Sequence, residues 1–202
     1  MPATDIRKNI VIALAIISLN ACSIVQHKPS TASSRTSVQA ALSDDDYRRA
    51  VNDLKAGKDE EALELFNSAA RAHPDFAAPY INVGLIETKR GNLHSAETAL
   101  LHAATLAPRQ PEIYNGLGIV YRRMGRFDDA ETAYLKALQL APDYANAQLN
   151  IGILYDLYLN NLGAALDHYQ RYQTISGGNN KLVKNWIIDV KQRLAKDMGA
   201  TK

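Results

Sequence analysis

Residues 111–144, PEIYNGLGIVYRRMGRFDDAETAYLKALQLAPDY, form the stretch of the chain that decides its fold. Apolar and small residues recur in each half at spacings of three and four residues, as they do on one face of an amphipathic helix. These residues are Tyr114, Leu117, Gly118 and Tyr121 in the first half, and Ala130, Tyr134 and Ala137 in the second. Gly125 separates the halves, because glycine readily adopts the left-handed conformation that ends a helix. The stretch therefore predicts two helices joined by a tight turn.

The same residue types return every 34 positions along the chain. The matching sets are Gly57, Gly91 and Gly125; Ala62, Ala96 and Ala130; Ala69, Ala103 and Ala137; Pro74, Pro108 and Pro142; and Gly84, Gly118 and Gly152. A fixed period of this length is typical of a repeat protein, in which each unit buries its apolar face by stacking on its neighbours. We therefore predict an all-α protein built from helix pairs.

The 34-residue unit resembles the tetratricopeptide repeat (TPR). The residues that carry the resemblance are Leu117, Gly118, Gly125, Ala130, Tyr134, Ala137 and Pro142. Small residues at two of these positions, Gly118 and Ala130, allow antiparallel helices to approach closely. The resemblance implies an all-α TPR solenoid of about four helix-turn-helix repeats with a C-terminal capping helix. It is specific for the fold and leaves the partner open.

The predicted repeats span residues 43–173 and differ at the two ends. Their bounds are 43–76, 77–110, 111–144 and 145–173. The first begins with a polar helix, as expected of a terminal repeat that has no repeat before it. The fourth has one residue more between Tyr155 and Ala165 than the corresponding part of the third, which predicts a longer turn. Residues 174–202 are predicted to be a linker followed by the capping helix.

Two features near the C-terminus have alternative interpretations. Four tyrosines of the fourth repeat form either an aromatic surface patch or part of the core with their hydroxyls at the rim: Tyr155, Tyr158, Tyr169 and Tyr172. Residues 181–202 contain six Lys or Arg and two Asp, so their formal charge is +4. This segment is either a solvated cationic face or a contact for an acidic surface, such as lipid head groups or an acidic partner.

The N-terminal sequence predicts export and lipid attachment. Residues 10–19 are an apolar run of ten residues that follows two cations, too short to span a bilayer and suited to a secretory signal. The segment LNAC at residues 19–22 resembles the lipobox of bacterial lipoproteins. The resemblance implies a signal peptide over residues 1–21, cleavage before Cys22, and fatty acyl chains such as palmitate on Cys22. An ordinary signal with a coincidental cysteine is the alternative interpretation.

The residues after the cysteine predict where the protein is held. Ser23 stands where lipoproteins retained in the inner membrane carry Asp, so the resemblance implies the outer membrane. Residues 22–42 are rich in Ser and Thr, which predicts a flexible tether with a reach of roughly 25 Å. We therefore expect the folded part in the periplasm of a Gram-negative cell.

No group of residues in the sequence indicates catalysis or metal binding. The five histidines do not have a metal-ligand spacing such as H-E-x-x-H, and Gly116 and Gly118 lie within a predicted helix rather than in a phosphate-binding loop. Cys22 is the single cysteine, so an internal disulfide is excluded. A net charge of +2 does not indicate a nucleic-acid partner. We therefore predict no enzyme, cofactor, metal or nucleic acid.

In TPR proteins the first helix of each repeat lines the concave face, called the inner-helix face below. The resemblance places twelve residues there: Tyr47, Val51, Ile81, Asn82, Leu85, Lys89, Asn115, Ile119, Arg122, Leu149, Asn150 and Ile153. The same register includes Leu54 and Asp156. The mostly apolar set predicts binding of a peptide or an amphipathic helix, with the three asparagines available to a peptide backbone. The alternative is that some of these residues only pack within the stack.

Chaperone-binding TPR proteins use Lys and Asn on this face to bind a C-terminal carboxylate. Tyr47 and Val51 occupy the first pair of those positions, so the sequence does not support such a clamp.

Three functional hypotheses follow from the sequence. The leading one is a lipid-anchored periplasmic scaffold or adaptor that binds a protein partner at the outer membrane. TPR lipoproteins of this plan include pilotins, which escort secretin subunits of pili and secretion systems, and adaptors that gather peptidoglycan hydrolases. The alternative is a structural subunit of a fixed envelope or exopolysaccharide-export assembly. An enzyme is the third hypothesis, and the sequence offers no polar residue as its catalytic group.

Overall fold

The structure, a computed structural model, describes residues 44–200, and these residues form nine α-helices and no β-strand. The helices are α1 (Asp44–Lys55), α2 (Asp59–Ala72), α3 (Ala77–Arg90), α4 (Leu93–Leu106), α5 (Pro111–Arg123), α6 (Phe127–Leu140), α7 (Ala145–Leu157), α8 (Leu162–Ile175) and α9 (Lys181–Ala200). The first eight follow one another as pairs joined by short turns, and α9 is a single last helix. The prediction of an all-α protein made of helix pairs with a C-terminal helix is confirmed.

The predicted signal peptide (1–21), Cys22 and the tether (22–42) lie outside the described residues. Within residues 44–200, no helix combines the length and the apolar character needed to cross a membrane. Attachment to a membrane and the exact limits of the repeats therefore stay predictions from the sequence.

The described chain divides into two compact units, residues 44–116 and residues 117–200, and the division falls within α5. The core of the first unit contains Phe66 of α2, which is fully buried. Its ring meets Tyr47 of α1 edge to face, with ring centroids 5.6 Å apart. The second unit has a larger core that includes side chains of α9. Its buried aromatic residues are Tyr134, Tyr155, Tyr169 and Trp186.

Glycines in the first helices of the repeats create space for a large residue of the second helices. A Cβ on Gly84 would lie 2.6 Å from Cγ of Leu100 in α4. A Cβ on Gly118 would overlap the ring of Tyr134 in α6, and Gly152 faces the corresponding tyrosine of α8. The close approach of the helices expected at Gly118 is therefore confirmed, and it depends on the missing side chain.

The turns within the first three repeats depend on a glycine in the left-handed conformation. Gly57, Gly91 and Gly125 have φ angles of +77°, +87° and +78°. In each turn the amide of the next residue donates to the carbonyl five residues before it, at 2.8–3.0 Å, which closes the helix end. Asn160, with φ +51°, is left-handed in the fourth repeat. The turn over residues 158–161 has four residues, against two or three in the other repeats, so the predicted longer turn is confirmed.

Three of the four tyrosines of the fourth repeat are core residues. Tyr155 and Tyr169 are buried with their hydroxyls donated to carboxylates, and Tyr172 is half-buried. Tyr158 is 41% exposed and packs against Phe127, with ring centroids 4.8 Å apart. The core interpretation therefore fits Tyr155, Tyr169 and Tyr172, whereas Tyr158 lies at the surface.

Helix α9 packs against α8 with an apolar face. Val183, Trp186 and Val190 are buried there, and the Trp186 ring lies 5.5 Å from that of Tyr169. Asn180 starts the helix, because its Oδ1 accepts hydrogen bonds from two amides of the first turn at 3.1 and 3.2 Å. Helix α9 therefore covers the end of the fourth repeat, as a capping helix is expected to do.

Candidate protein-binding face

In residues 44–116, the predicted inner-helix face is formed by α1, α3 and the start of α5. Seven predicted residues fall here: Val51, Ile81, Asn82 and Asn115 are buried, Tyr47 and Leu85 are half-buried, and Lys89 is exposed. The accessible side chains of this part are thus an aromatic ring, an aliphatic chain and a cation. These three groups are chemically suited to anchor a peptide.

Asn82 joins α3 to α1. Its Nδ2 donates to Oη of Tyr47 at 3.1 Å and to the carbonyl of Ala78 at 2.9 Å. Both amide hydrogens of Asn82 are thus used inside the protein, and a hydrogen bond of its side chain to a peptide backbone stays a prediction. Burial raises the pKa of Tyr47, although the hydrogen bond from Asn82 opposes this effect. Tyr47 therefore presents a neutral ring whose hydroxyl is already engaged.

Lys89 has its charge partnered at the start of α2. Its Nζ lies 2.7 Å from both carboxylate oxygens of Asp59, and the neighbouring Arg90 lies 3.0 Å from Glu60. Exposed ion pairs of this kind contribute only about 0–1 kcal/mol, so they orient the long side chains more than they stabilise the fold. A partner carboxylate that binds Lys89 has to compete with Asp59.

In residues 117–200, none of the predicted face residues is exposed to solvent. All five of its residues are buried: Ile119, Arg122, Leu149, Asn150 and Ile153. The three apolar ones belong to one core cluster, which also contains Trp186 of the capping helix. The alternative interpretation, that such residues pack within the stack, describes the packing of this part. A binding role for these five positions stays a prediction.

Arg122 is a buried cation between aromatic rings. Its Nε donates to Oη of Tyr134 at 3.3 Å, and its guanidinium lies 5.9 Å from the centroid of the Tyr158 ring. A guanidinium near an aromatic ring is attracted by the ring quadrupole, which partly compensates for the loss of water. Burial raises the pKa of Tyr134, and the positive charge of Arg122 opposes this effect. Arg122 thus acts as an internal tie between α5 and α6.

Asp156, one repeat after Arg122, carries the opposite charge and binds the capping helix. Its Oδ1 lies 2.5 Å from Nη1 of Arg193, and its Oδ2 accepts from Oη of Tyr169 at 3.3 Å. Arg193 also lies 3.2 Å from Asp189 on its own helix. Burial raises the pKa of Tyr169 and the Asp156 carboxylate raises it further, whereas Arg193 and Arg122 lower it. The positive charges of both arginines therefore oppose the effect of burial on this hydroxyl.

The ion pair of Asp156 with Arg193, called the cap lock below, was not predicted from the sequence. Two features of the sequence point to it. The charge reverses between Arg122 and Asp156, which are 34 residues apart, and Arg193 comes three residues after Val190 of the buried face of α9. The cap lock means that an inner-helix position of the fourth repeat is already bound by the C-terminal helix of the same chain.

A second polar cluster joins α6, α7 and α8. Nδ1 of His168 lies 2.6 Å from Oε1 of Gln148, and the His168 ring stacks on Tyr155, which donates its hydroxyl to Glu131 at 2.6 Å. Burial lowers the pKa of His168, and the nearby Arg171 lowers it further. Nε2 of Gln148 donates to the carbonyl of Pro142, so its Oε1 accepts from Nδ1 of His168. In the described part of the chain, no three His, Cys, Asp or Glu side chains are grouped as a metal site.

Two models of the tetratricopeptide repeat family match the chain, one over residues 47–111 and the other over residues 109–176. Together they cover more than half of the 202 residues, and the chain belongs to this family. No curated protein sequence matches the chain. Proteins of this family are in general scaffolds for protein interactions rather than enzymes, and this is the class that the fold defines.

Several solved structures share the fold. TTC0263, a thermophilic TPR protein of Thermus thermophilus, is 23% identical with a TM-score of 0.59, over 76% of this chain and 79% of that one. Pseudomonas aeruginosa pilF is 17% identical with a TM-score of 0.68, over 76% of this chain and 69% of that one. MamA from Desulfovibrio magneticus RS-1 is 17% identical with a TM-score of 0.60, over 71% of this chain and 80% of that one. At these identities the likeness shows the fold alone.

Proposed function

We propose that this protein is a lipid-anchored TPR scaffold of the outer membrane, facing the periplasm, and that it binds a protein partner through the inner-helix face. The observation that carries the proposal is the solvent-accessible part of that face in residues 44–116, where Tyr47 and Leu85 are half-buried and Lys89 is exposed. A peptide or amphipathic helix with apolar anchors and a carboxylate matches these groups. The general scaffold role of the TPR family supports the same conclusion.

The anchor is proposed from the N-terminal sequence. The apolar run over residues 10–19 and the lipobox-like motif at residues 19–22 support modification of Cys22. Acylation with more than one chain suffices for stable attachment, because two lipid signals are already enough. The tether over residues 22–42 then allows the folded part to search within roughly 25 Å of the membrane.

Pilus or secretin assembly is the first pathway to test, because pilotins combine a lipoprotein signal with TPR repeats. Cell-envelope biogenesis, including the gathering of peptidoglycan hydrolases, is the second. The likeness to pilF supports the repeat architecture and does not choose between these pathways.

In-cell photo-crosslinking from Tyr47 and Leu85 tests the binding role. We expect one dominant protein at both positions, and its identity as a secretin subunit, a hydrolase or another envelope protein then names the pathway. Leu101 on α4 is the matched control, because it is apolar and 45% exposed but lies on a second helix of a repeat. The proposal would be overturned if neither Tyr47 nor Leu85 gave a specific crosslinked protein, or if Leu101 gave the same protein.

A structural subunit of an envelope or export assembly is the second candidate function. Its supporting observation is a pair of exposed leucines at the same repeat position of two second helices, Leu101 (45% exposed) and Leu135 (46% exposed). Replacing both with Glu should release the protein from a fixed assembly while leaving an adaptor active. Leu85→Glu should abolish partner binding by an adaptor and leave a structural subunit in its assembly. The two variants therefore separate the two candidate functions.

The anchor has a direct test of its own. We expect the wild-type chain to incorporate labelled palmitate and the Cys22→Ser variant to incorporate none. Equal labelling of the two proteins would contradict the proposed attachment and leave the binding face untouched.

A further inference from the structure

The exposed face of α9 is a strip of lysine residues around one isoleucine. Its members are all exposed and fall at helical spacing: Lys181, Lys184, Asn185, Ile188, Lys191, Gln192, Ala195 and Lys196. They occupy an arc of about 140° when each residue turns the helix by about 100°. The opposite face is the buried one that packs on α8. This strip is called the lysine face below.

The lysine face has no counter-charge. None of its four lysines forms an ion pair with any residue in the described part of the chain, and the face itself contains no Asp or Glu. Asp189 lies beside the strip, but it is 3.2 Å from Arg193. By contrast, Lys58 and Lys89 each lie against an aspartate. The positive charge of the strip is therefore available to an external anion.

Ile188 lies near the middle of the lysine face. It is 55% exposed, the highest exposure among the large apolar side chains of the described residues. One exposed isoleucine is ordinary on a protein surface. Among four unpaired cations, however, it gives the strip one apolar side chain, and basic surfaces with an apolar residue are attracted to anionic membranes.

We propose that the lysine face docks on the anionic head groups of a phospholipid bilayer, with Ile188 entering the boundary between head groups and acyl chains. Lys181 and Lys196 are separated by fifteen helical rises, so the charges extend over about 22 Å. Long lysine stems can pack beside Ile188 while their ammonium groups reach the phosphates. A long, shallow strip of this kind fits a flat surface with many diffuse negative charges.

The chemistry of the cations favours a bilayer over an acidic protein. Arginine binds a specific carboxylate better than lysine, because its planar guanidinium forms two parallel hydrogen bonds. The arginine of α9, Arg193, is held by Asp156 and Asp189 in the cap lock, so it does not face outward. The strip is left with flexible point charges. This inference goes beyond the proposed function, because it requires neither a protein partner nor modification of Cys22.

Lysine acetylation footprinting of the full chain tests the inference. The protein, isolated from the producing cell, is mixed with vesicles of phosphatidylcholine alone or with phosphatidylglycerol added, and mass spectrometry gives the modification rate of each lysine. We expect the four lysines of the lysine face to react more slowly on the anionic vesicles only. Lys136, exposed on α6, is the internal control and should react at one rate on both. Each Lys→Gln change in the strip should lower the equilibrium constant for docking, calculated from the protection of the remaining lysines on anionic vesicles, roughly fivefold.

Variants and added membranes decide between the outcomes. Ile188→Ser and the double change Lys184→Gln, Lys191→Gln should weaken protection of the remaining lysines, whereas Lys136→Gln should not. Equal rates on neutral and anionic vesicles would overturn the inference. Protection on native envelope membranes but not on protein-free anionic vesicles would also overturn it, in favour of an acidic protein partner. Flotation with neutral vesicles reports the N-terminal anchor separately, so a failed anchor and a failed lysine face remain distinguishable.

Discussion

The two units of the protein use equivalent repeat positions in different ways. Leu85, Ile119 and Ile153 are successive members of one register, 34 residues apart. Leu85, in residues 44–116, is half-buried, whereas the two isoleucines in residues 117–200 lie in a core that the capping helix shares. The repeat register thus decides on which side of a helix a residue lies. The elements packed around it decide whether that residue is available to a partner.

The polar residues at a second register position show the same contrast. Thr88 donates its hydroxyl to the carbonyl of Gly84 in its own helix, at 2.6 Å. Arg122 instead reaches a tyrosine of the next helix, and Asp156 binds Arg193 of the capping helix. The contacts of Arg122 and Asp156 thus join different helices, and that of Asp156 reaches the capping helix. The cap lock is formed in the fourth repeat, where α9, a helix outside the repeat pattern, packs on the stack.

Glutamate at the first of these positions provides the largest expected difference between the units. Ile153→Glu should lower the free energy of unfolding by about 4 kcal/mol, because it removes a buried side chain and places a carboxylate in the core. Leu85→Glu should cost about 1 kcal/mol, because the carboxylate can reach water. Urea unfolding followed by circular dichroism measures both. Equal losses of free energy of unfolding would show that the different exposure of Leu85 and Ile153 has no energetic consequence.

Removal of the cap lock should have the next largest effect. Asp156→Ala leaves Arg193 with Asp189 alone and leaves the buried hydroxyl of Tyr169 without its acceptor. We expect a loss of about 3 kcal/mol in the free energy of unfolding, because one partner of a buried charge pair is removed. Asp167→Ala, at an exposed position of α8, is the matched control and should change it by about 0.5 kcal/mol or less. Similar unfolding curves for the two variants would mean that the capping helix is held by its apolar face alone.

The glycines that face the second helices give a smaller and more specific difference. Gly118→Ala should cost about 2 kcal/mol, because its Cβ meets the rigid, fully buried ring of Tyr134. Gly84→Ala should cost about 1 kcal/mol or less, because the branched end of Leu100 can shift and alanine favours the helix. Thermal unfolding of the two variants tests this order, and the reverse order would contradict it.

The sequence predicts the fold well because the signals involved are local. A helix stripe, a glycine in the left-handed conformation and a period of 34 each depend on residues close together in the chain. The extra residue of the fourth repeat likewise predicted its longer turn, where Asn160 takes the left-handed conformation.

The candidate face is predicted less well because accessibility depends on distant neighbours. Register placed twelve residues on one side of the first helices, and nine of them are buried in the structure. The sequence pattern did not show that both amide hydrogens of Asn82 are used internally, since the second contact is with Tyr47, 35 residues away. It also did not show that Asp156 is bound by Arg193, 37 residues away. Both contacts join residues more than one repeat length apart, and a pattern of residue types does not show which side chains meet over such a separation.

The smallest expected effect is a pH dependence that arises in residues 117–200. Burial and Arg171 lower the pKa of His168 in the folded protein below its ordinary value of about 6.5. The unfolded chain therefore binds this proton more tightly, and stability should decrease as the pH falls from about 6.5 through the lower pKa of the folded state. His168→Gln lacks the titrating ring, so its stability should decrease less over that range. Urea midpoints of the two proteins measured from neutral to acidic pH test this. Parallel curves would show that the pKa of His168 is not lowered in the folded protein, and that acid sensitivity arises elsewhere in the chain.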